Sequence, residues 1–374
     1  MDAASHTASP SAHRHAVFHG LTVAEVERIT EDAVAITFAV PDELRDEYVY
    51  QPGQHLTVRC ELAGDDVRRN YSICSAATSG TLRIGVKRLP GGAFSTYAFE
   101  QLRPGDSLDV MTPSGRFTVP LAPEQARHYC AIAAGSGITP ILSIMATALE
   151  VEPHSRVTLV YGNRTSRSVM FLEELEDLKD RYLERVQFLH ILSREHQEAE
   201  LLNGRIDDTK LKVLLDSLVP PETIDEWFLC GPAGMIETAR AALLERGIEA
   251  GRIHRELFHA GPVAPRPPAE AAPVTAGTAV IGAADISILL DGRTSTFPLA
   301  PGAEPILDAA LAVRPDAPYA CKNGMCGTCR AKVVEGTVEM DHNYALEDDE
   351  LAGGFVLACQ AHPTSDRVTL DFDA

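Results

Sequence analysis

Four cysteines, Cys321, Cys326, Cys329 and Cys359, constrain this chain more than any other residues. They read Cys-x4-Cys-x2-Cys and then, after 29 further residues, Cys, the ligand spacing of a plant-type 2Fe-2S cluster. Such a cluster needs thiolates within bonding distance and backbone N–H groups aimed at its sulfurs. The run Cys321-Lys-Asn-Gly-Met-Cys-Gly-Thr-Cys329 suits that task, because Gly324 and Gly327 let the backbone curl closely around a ligand. Cys359 follows the apolar run Phe355-Val-Leu-Ala358, an expected strand that would end facing the loop. Zinc held by the same four thiolates is the rival, as are four unrelated buried cysteines. Zinc favours two Cys-x2-Cys knuckles and only one is present, so the cluster is the better reading.

The remaining cysteines, Cys60, Cys74, Cys130 and Cys230, are scattered through apolar runs and form no disulfide framework. That usage fits a reducing compartment, and cytoplasm is expected. A net charge of −20 argues against nucleic acid or an anionic membrane as partner. No apolar run approaches the roughly 20 residues of a membrane helix. Residues 1–15 are small, polar and His-rich and lack the apolar core of a secretory signal, so a disordered tail is expected. His6, His13, His15 and His19 are read as part of that polar stretch rather than as a metal site.

At 374 residues the chain has room for two or three domains, and the sequence rhythm marks three blocks. Residues 16–122 carry short alternating runs such as Ala33–Val40, His55–Cys60 and Thr81–Lys87, punctuated at Pro52-Gly53, Pro90-Gly91-Gly92 and Pro104-Gly105. Regularly spaced short strands predict a sandwich or a closed antiparallel barrel. Residues 123–258 alternate strand and helix: Tyr129–Ala133, a helix from Pro140, Arg156–Tyr161, an amphipathic helix over Met170–Leu178, Val186–Leu192, Glu226–Cys230 and a helix over Met235–Leu244. That alternation predicts a doubly wound parallel sheet. Residues 259–284 are Pro/Ala-rich and aperiodic, an expected semi-rigid linker. The last block, 285–374, opens with the strand Ile286–Leu290, a hairpin turn at Asp291-Gly292 and a short helix near Ile306–Leu311.

Three further motifs carry chemistry. Arg69-Asn70-Tyr71-Ser72 pairs a guanidinium with an aromatic face on one strand. Gly92-Ala93-Phe94-Ser95-Thr96 sets glycine and hydroxyls at a helix start, a ready anion site. Gly135-Ser-Gly-Ile-Thr-Pro140 lies between a strand and a helix, with Pro140 expected at the first helical position. A lone Gly-x-Gly is weak evidence; at the strand-to-helix turn of a doubly wound sheet it reads as a dinucleotide pyrophosphate site.

Together these motifs resemble the ferredoxin–NADP reductase superfamily, and within it the three-module reductase components of bacterial multicomponent oxygenases. The C-terminal text, including Met340–Glu347 and Leu357-Ala-Cys-Gln360, resembles the reductase subunits of phenylacetyl-CoA epoxidases. The resemblance covers nearly all but the tail and linker. It implies a flavin-binding barrel, a nicotinamide-binding domain and a C-terminal α+β ferredoxin domain of β-grasp type. By position it implies that Arg69 pairs with the flavin phosphate, Tyr71 packs on the isoalloxazine and Ser72 lies near its N5. It makes Gly92, Ser95 and Thr96 phosphate binders, and puts Gly135, Gly137 and Pro140 at the pyrophosphate with Thr139 beside the nicotinamide. Cys230, Gly231 and Pro232 match its Cys-Gly-Pro, with Cys230 positioning the hydride-donating carbon; Glu256 and Phe258 match its trailing Glu-x-Phe, with Phe258 shielding the flavin.

Coenzyme choice turns on the second and third strands of the parallel sheet. An acidic residue at the end of the second strand would favour NADH; Tyr161-Gly-Asn-Arg164 stands there, with Ser193-Arg194 after the next strand. Two arginines and a serine suit a 2′-phosphate, so NADPH is expected over NADH. The resemblance favours FAD over FMN. The expected function is electron transfer from NADPH through FAD and a 2Fe-2S cluster to a separate di-iron oxygenase docking near the cluster loop, by resemblance the phenylacetyl-CoA epoxidase. The alternatives are a reductase for an aromatic-ring dioxygenase or another iron–sulfur acceptor using NADH, and a non-enzymatic scaffold with a zinc module.

Overall fold

The computed structural model describes residues 17–259 and 282–374, so the expected tail and nearly all of the expected linker, with His6, His13 and His15, lie outside the described residues. Those described residues form two compact units, one running from Phe18 through the parallel sheet and one at the C-terminus. Among them no helix is long and apolar enough to cross a membrane.

Six antiparallel strands build the first half: β1 (Phe18–Thr30), β2 (Ala33–Ala39), β3 (His55–Leu62), β4 (Asp65–Ser72), β5 (Leu82–Lys87) and β6 (Ser107–Met111). Their order is β4-β3-β6-β1-β2-β5, and a bridge between Ile73 and Ile84 joins the two edges, so the sheet closes. Closure settles the choice between sandwich and barrel: it removes both free edges and wraps the alternating apolar side chains around Leu21, Ile36, Leu56, Ile84 and Val110. The eight-residue helix α1 (Ala93–Glu100) plugs this core with Phe94 and Phe99. His19 is a strand residue rather than part of the tail; its ring lies 3.0 Å from Glu47.

The second half is a five-stranded sheet in the order β11-β10-β7-β8-β9, every neighbour parallel. Its strands are β7 (His128–Ala134), β8 (Arg156–Asn163), β9 (Val186–Leu192), β10 (Glu226–Pro232) and β11 (Ile253–His259). Between them run α2 (Ile138–Val151), α3 (Leu172–Arg181), α4 (Asp208–Ser217) and α5 (Ala233–Glu245). Two expectations shift. Gly135–Gly137 form a 3-10 turn, which moves Pro140 to the third residue of α2; the position remains in the first turn, whose N–H groups have no intrahelical acceptor. Phe171 takes φ 60, which ends the preceding loop sharply and starts α3 two residues after Met170.

Barrel and parallel sheet share one core. Ala33, Ala35, Cys74, Phe117 and Val119 from the first half pack with Ile138, Ile141, Leu142, Met145, Phe171 and Phe228 from the second. Buried hydroxyls stitch the seam: Ser143 Oγ donates to the Ser75 carbonyl at 2.7 Å, and Thr147 Oγ1 accepts from the Ala77 N–H at 2.9 Å. Arg83 on β5 reaches Glu174 on α3 at 2.9 Å.

The C-terminal unit holds β12 (Ala284–Leu290), β13 (Arg293–Leu299), β14 (Arg330–Glu335), β16 (Phe355–Leu357) and β18 (Arg367–Asp371) in the order β13-β12-β18-β14-β16, beside a ribbon of β15 (Val338–Met340) and β17 (Ala361–Pro363). The parallel β12–β18 pair at its centre and α6 (Ile306–Val313) packed on its face make a β-grasp; α7 (Asp348–Ala352) is a single turn. Asp291 and Gly292, both at positive φ, form the expected hairpin turn. Strand structure reaches into the expected linker at both ends, through His259 and Ala284.

The seam predicts a cost for added volume. A Cβ on Gly85 would stand 2.6 Å from Thr139 Cγ2 and 2.9 Å from Phe171 Cζ. Gly85→Val is therefore expected to destabilise the barrel–sheet unit by about 1–3 kcal/mol, read as a lower urea midpoint at unchanged slope. An unaltered midpoint would mean the seam is loose.

Candidate functional site

Register brings the residues of the first site together. On β4, Ser72 stands directly opposite His55 of β3, and on the parallel sheet Cys230 of β10 pairs with Glu256 of β11 and with Ala133 of β7. Where barrel and sheet meet, Ser72 Oγ lies 3.1 Å from Glu256 Oε2, and His55 Nδ1 lies 3.9 Å from Glu256 Oε1. The two sequence positions in the first contact are 184 residues apart.

Electrostatics at this junction follow from burial. Glu256 keeps only 17% of its side chain exposed; desolvation disfavours its charge and pushes its pKa up to about 8, against a smaller opposing effect from Ser72. Burial pushes His55 down to about 4. At neutral pH the carboxyl therefore holds a proton and the imidazole is uncharged. Cys230, fully buried and facing the Glu256 carboxyl, is driven well above its usual value and stays a thiol. That suits a group that touches and orients rather than one that attacks.

Around this junction lie the other expected contacts. Tyr71 packs on Phe94 of α1 with ring centroids 5.3 Å apart. Arg69 is exposed, its Nη1 donating to the Arg68 carbonyl at 2.7 Å. Gly92 is the N-cap of α1, leaving the first N–H groups of that helix free for an anion. Ser95 is buried and its hydroxyl accepts from the Leu89 N–H at 3.1 Å, so it closes the Leu89–Gly92 turn; Thr96 lies one residue on. A flavin phosphate fits the remaining donors: Arg69, Thr96 and the helix N–H groups.

At the C-terminal ends of the parallel strands, Gly137 abuts β10 so closely that a Cβ there would fall 2.2 Å from the Cys230 carbonyl oxygen. This cradle explains Gly-x-Gly beside Cys-Gly-Pro. Gly135 takes φ 55 and its carbonyl accepts from the Tyr161 hydroxyl at 2.9 Å. Thr139 is buried, with Oγ1 donating to the Ser136 carbonyl at 3.0 Å. Gly231 is buried at φ 156, Pro232 is the exposed N-cap of α5, and Phe258 sits half-buried at the end of β11 against the shared core. Arg164 and Arg194 are exposed on adjacent loops, with Ser193 half-buried between the strand ends.

In the C-terminal unit the four thiols act on one another chiefly as two pairs, Cys321 with Cys326 and Cys329 with Cys359. Among the described residues no three such side chains converge on one ion position. Two pairs fit two iron atoms, each held by two thiolates, and fit a single tetrahedral zinc poorly. Asn323 N donates to Cys321 Sγ at 3.4 Å, Gly324 and Gly327 adopt φ 72 and 68, and Gln360 Nε2 bonds the Lys322 and Cys359 carbonyls at 3.1 and 2.8 Å. A Cβ on Gly324 would press on the His342 carbonyl at 3.0 Å. Cys359 follows the end of β16, as expected.

Sequence reasoning missed the roles of His55 and of Gln360, the latter read only as the end of Leu357-Ala-Cys-Gln360. Each looks like an ordinary polar residue beside a strand, and the partner that defines it is far away in sequence.

Similarity to known proteins agrees with this geometry. The chain matches the oxidoreductase FAD-binding domain over residues 20–119, the oxidoreductase NAD-binding domain over 131–241 and the 2Fe-2S iron-sulfur cluster binding domain over 288–364. It is 47% identical to a subunit of the 1,2-phenylacetyl-CoA epoxidase of Escherichia coli (strain K12), across 96% of this chain and 98% of that one. It is 35% identical to the ferredoxin reductase component of 3-ketosteroid-9-alpha-monooxygenase of Rhodococcus rhodochrous, across 94% and 96%. Among solved structures, phthalate dioxygenase reductase shares the fold at TM-score 0.56 and 22% identity, across 95% of this chain and 98% of that one.

The raised Glu256 value has a sign that can be tested. In flavin-free protein the folded state keeps a proton between pH 4.5 and about 8 that the unfolded state has lost, so stability falls as pH rises through that window. His55 contributes the opposite slope, between about 4 and 6.5 only. Glu256→Gln is expected to flatten the decline of Tm between pH 6.5 and 8, where Glu256 alone of the pair titrates; a decline as steep as before would place the titrating group elsewhere.

Proposed function

We propose, for a chain that belongs to the ferredoxin reductase-type oxidoreductases in which FAD-binding and NAD-binding domains are joined to a 2Fe-2S domain, that it draws on NADPH and serves a separate di-iron oxygenase, the epoxidase of phenylacetyl-CoA. One observation carries the reading: a single chain combines the Ser72–Glu256–Cys230 junction with two thiol pairs, the parts that a two-electron donor and a one-electron acceptor require. A bound flavin accepts a hydride and hands its electrons singly to a bound cluster. The chain's own residues do the rest.

In this reading Cys230 and Gly137 close the floor on which the nicotinamide lies, Thr139 lines its side, and Phe258 covers the flavin until coenzyme displaces it. Stacking the rings at reacting distance removes the entropy cost of a bimolecular encounter. Ser72 holds the flavin N5 edge. Oxidation of NADPH to NADP+ gives up two electrons and one proton as hydride, and that proton has to leave once the electrons are passed on. Ser72 and Glu256 form a path along which it could do so, Glu256 releasing its own proton as it accepts one through the Ser72 hydroxyl. Arg69, Thr96 and the N–H groups after Gly92 hold the flavin phosphate, and Gly135 and Pro140 shape the turn for the coenzyme pyrophosphate. Arg164, Ser193 and Arg194 receive the 2′-phosphate. Cys321 and Cys326 hold one iron, Cys329 and Cys359 the other, and the loop from Cys321 to Cys329 faces the oxygenase. The near full-length likeness to a subunit of such an epoxidase supports that choice of partner.

Anaerobic titration with NADPH is expected to bleach flavin and cluster bands together. In Cys321→Ser the cluster bands should vanish while flavin reduction by NADPH survives and oxygenase support is lost; continued support would sink the relay. Arg164→Ala should raise the KM for NADPH about 10–100-fold, the worth of a charged hydrogen bond, with the KM for NADH little changed.

A further inference from the structure

The loops after β8 and β9 are fastened to each other. Ser193 N donates to the Asn163 carbonyl at 2.9 Å, and Arg194 N donates to the Arg164 carbonyl at 2.8 Å, continuing the parallel ladder past the strand ends. The next residue turns back across the gap: Glu195 Oε2 accepts from the Ser166 N–H at 2.8 Å and from the Ser166 hydroxyl at 3.0 Å. Ser166 itself is held in place, because Thr165 and Ser168 bond reciprocally around it. Asn163, whose carbonyl accepts from Ser193, is 8% exposed at the same strand end.

A carboxylate is thus pinned on Ser166, between the two loops that carry the arginines read as the 2′-phosphate site. Its effect on the two coenzymes is opposite. A ribose 2′-hydroxyl can donate to it while it stays on Ser166. A 2′-phosphate carries like charge and is repelled by it, so the arginines hold that phosphate less tightly than they otherwise would. We infer that Glu195 sets coenzyme selectivity: its carboxylate, held on Ser166 between the two arginine-bearing loops, accepts the ribose of NADH and holds down an otherwise stronger preference for NADPH. This rests on the assignment of Arg164 and Arg194 to the 2′ position.

The test uses the full-length holoprotein and two probes, adenosine 2′,5′-bisphosphate and 5′-AMP, titrated by calorimetry. Glu195→Gln is expected to tighten the bisphosphate about tenfold while 5′-AMP changes less than about twofold, and to raise the KM for NADH relative to that for NADPH. Equal affinities for both probes in wild type and Glu195→Gln would overturn the inference. The arginine assignment is checked apart from it: if Arg164→Gln leaves bisphosphate binding unchanged, the assignment fails and the inference with it, whereas bisphosphate binding weakened by Arg164→Gln but unchanged by Glu195→Gln overturns the inference alone.

Discussion

The apolar core shared by the barrel and the parallel sheet is the constraint on which the reductase chemistry depends. Ala33, Ala35 and Phe117 on one side and Ile138, Ile141 and Phe171 on the other exclude water along a continuous seam. Close packing there fixes the position of β4 relative to β11 to within a hydrogen bond, and Ser72 meets Glu256 as a result. Separate domains on a loose hinge would leave that contact to chance. The glycines follow the same logic: Gly85 and Gly137 lack side chains where Thr139, Phe171 and the Cys230 carbonyl already fill the space.

Burial at the junction also decides charge. Glu256 and His55 are neutral at pH 7 for one reason, removal from water, acting in opposite directions on an acid and a base. A neutral carboxyl 3.1 Å from Ser72 leaves no unpaired charge inside the protein, and it can take a proton from the hydroxyl side only as it releases its own. Cys230 is held as a thiol by the same means, which makes it a poor nucleophile.

In the C-terminal unit the corresponding constraint is backbone curvature. A loop that presents three cysteines within nine residues must turn repeatedly, and positive φ at Gly324 and Gly327 supplies the turns. Gln360, buried behind Cys359, ties the loop to the strand side through the Lys322 carbonyl.

What could be read along the chain was whatever depends on neighbours in sequence. Strand and helix periodicity separated the barrel from the parallel sheet, Asp291-Gly292 marked its hairpin, and cysteine spacing pointed to the 2Fe-2S domain, because each is a local pattern of side-chain direction or backbone freedom. Pro140 was misplaced by two residues because a 3-10 turn before a helix leaves no mark that composition reveals. His55 and Glu195 could not be found at all, and Gln360 showed only as the end of a motif: a buried histidine, a carboxylate on Ser166 and a glutamine reaching the Lys322 carbonyl acquire meaning only from partners brought in by folding. The merging of the first two blocks into one compact unit was likewise invisible, since apolar residues show that they will be buried but not against what. Local backbone chemistry wrote the motifs into the sequence; long-range packing alone chose their distances, their charge states and their company.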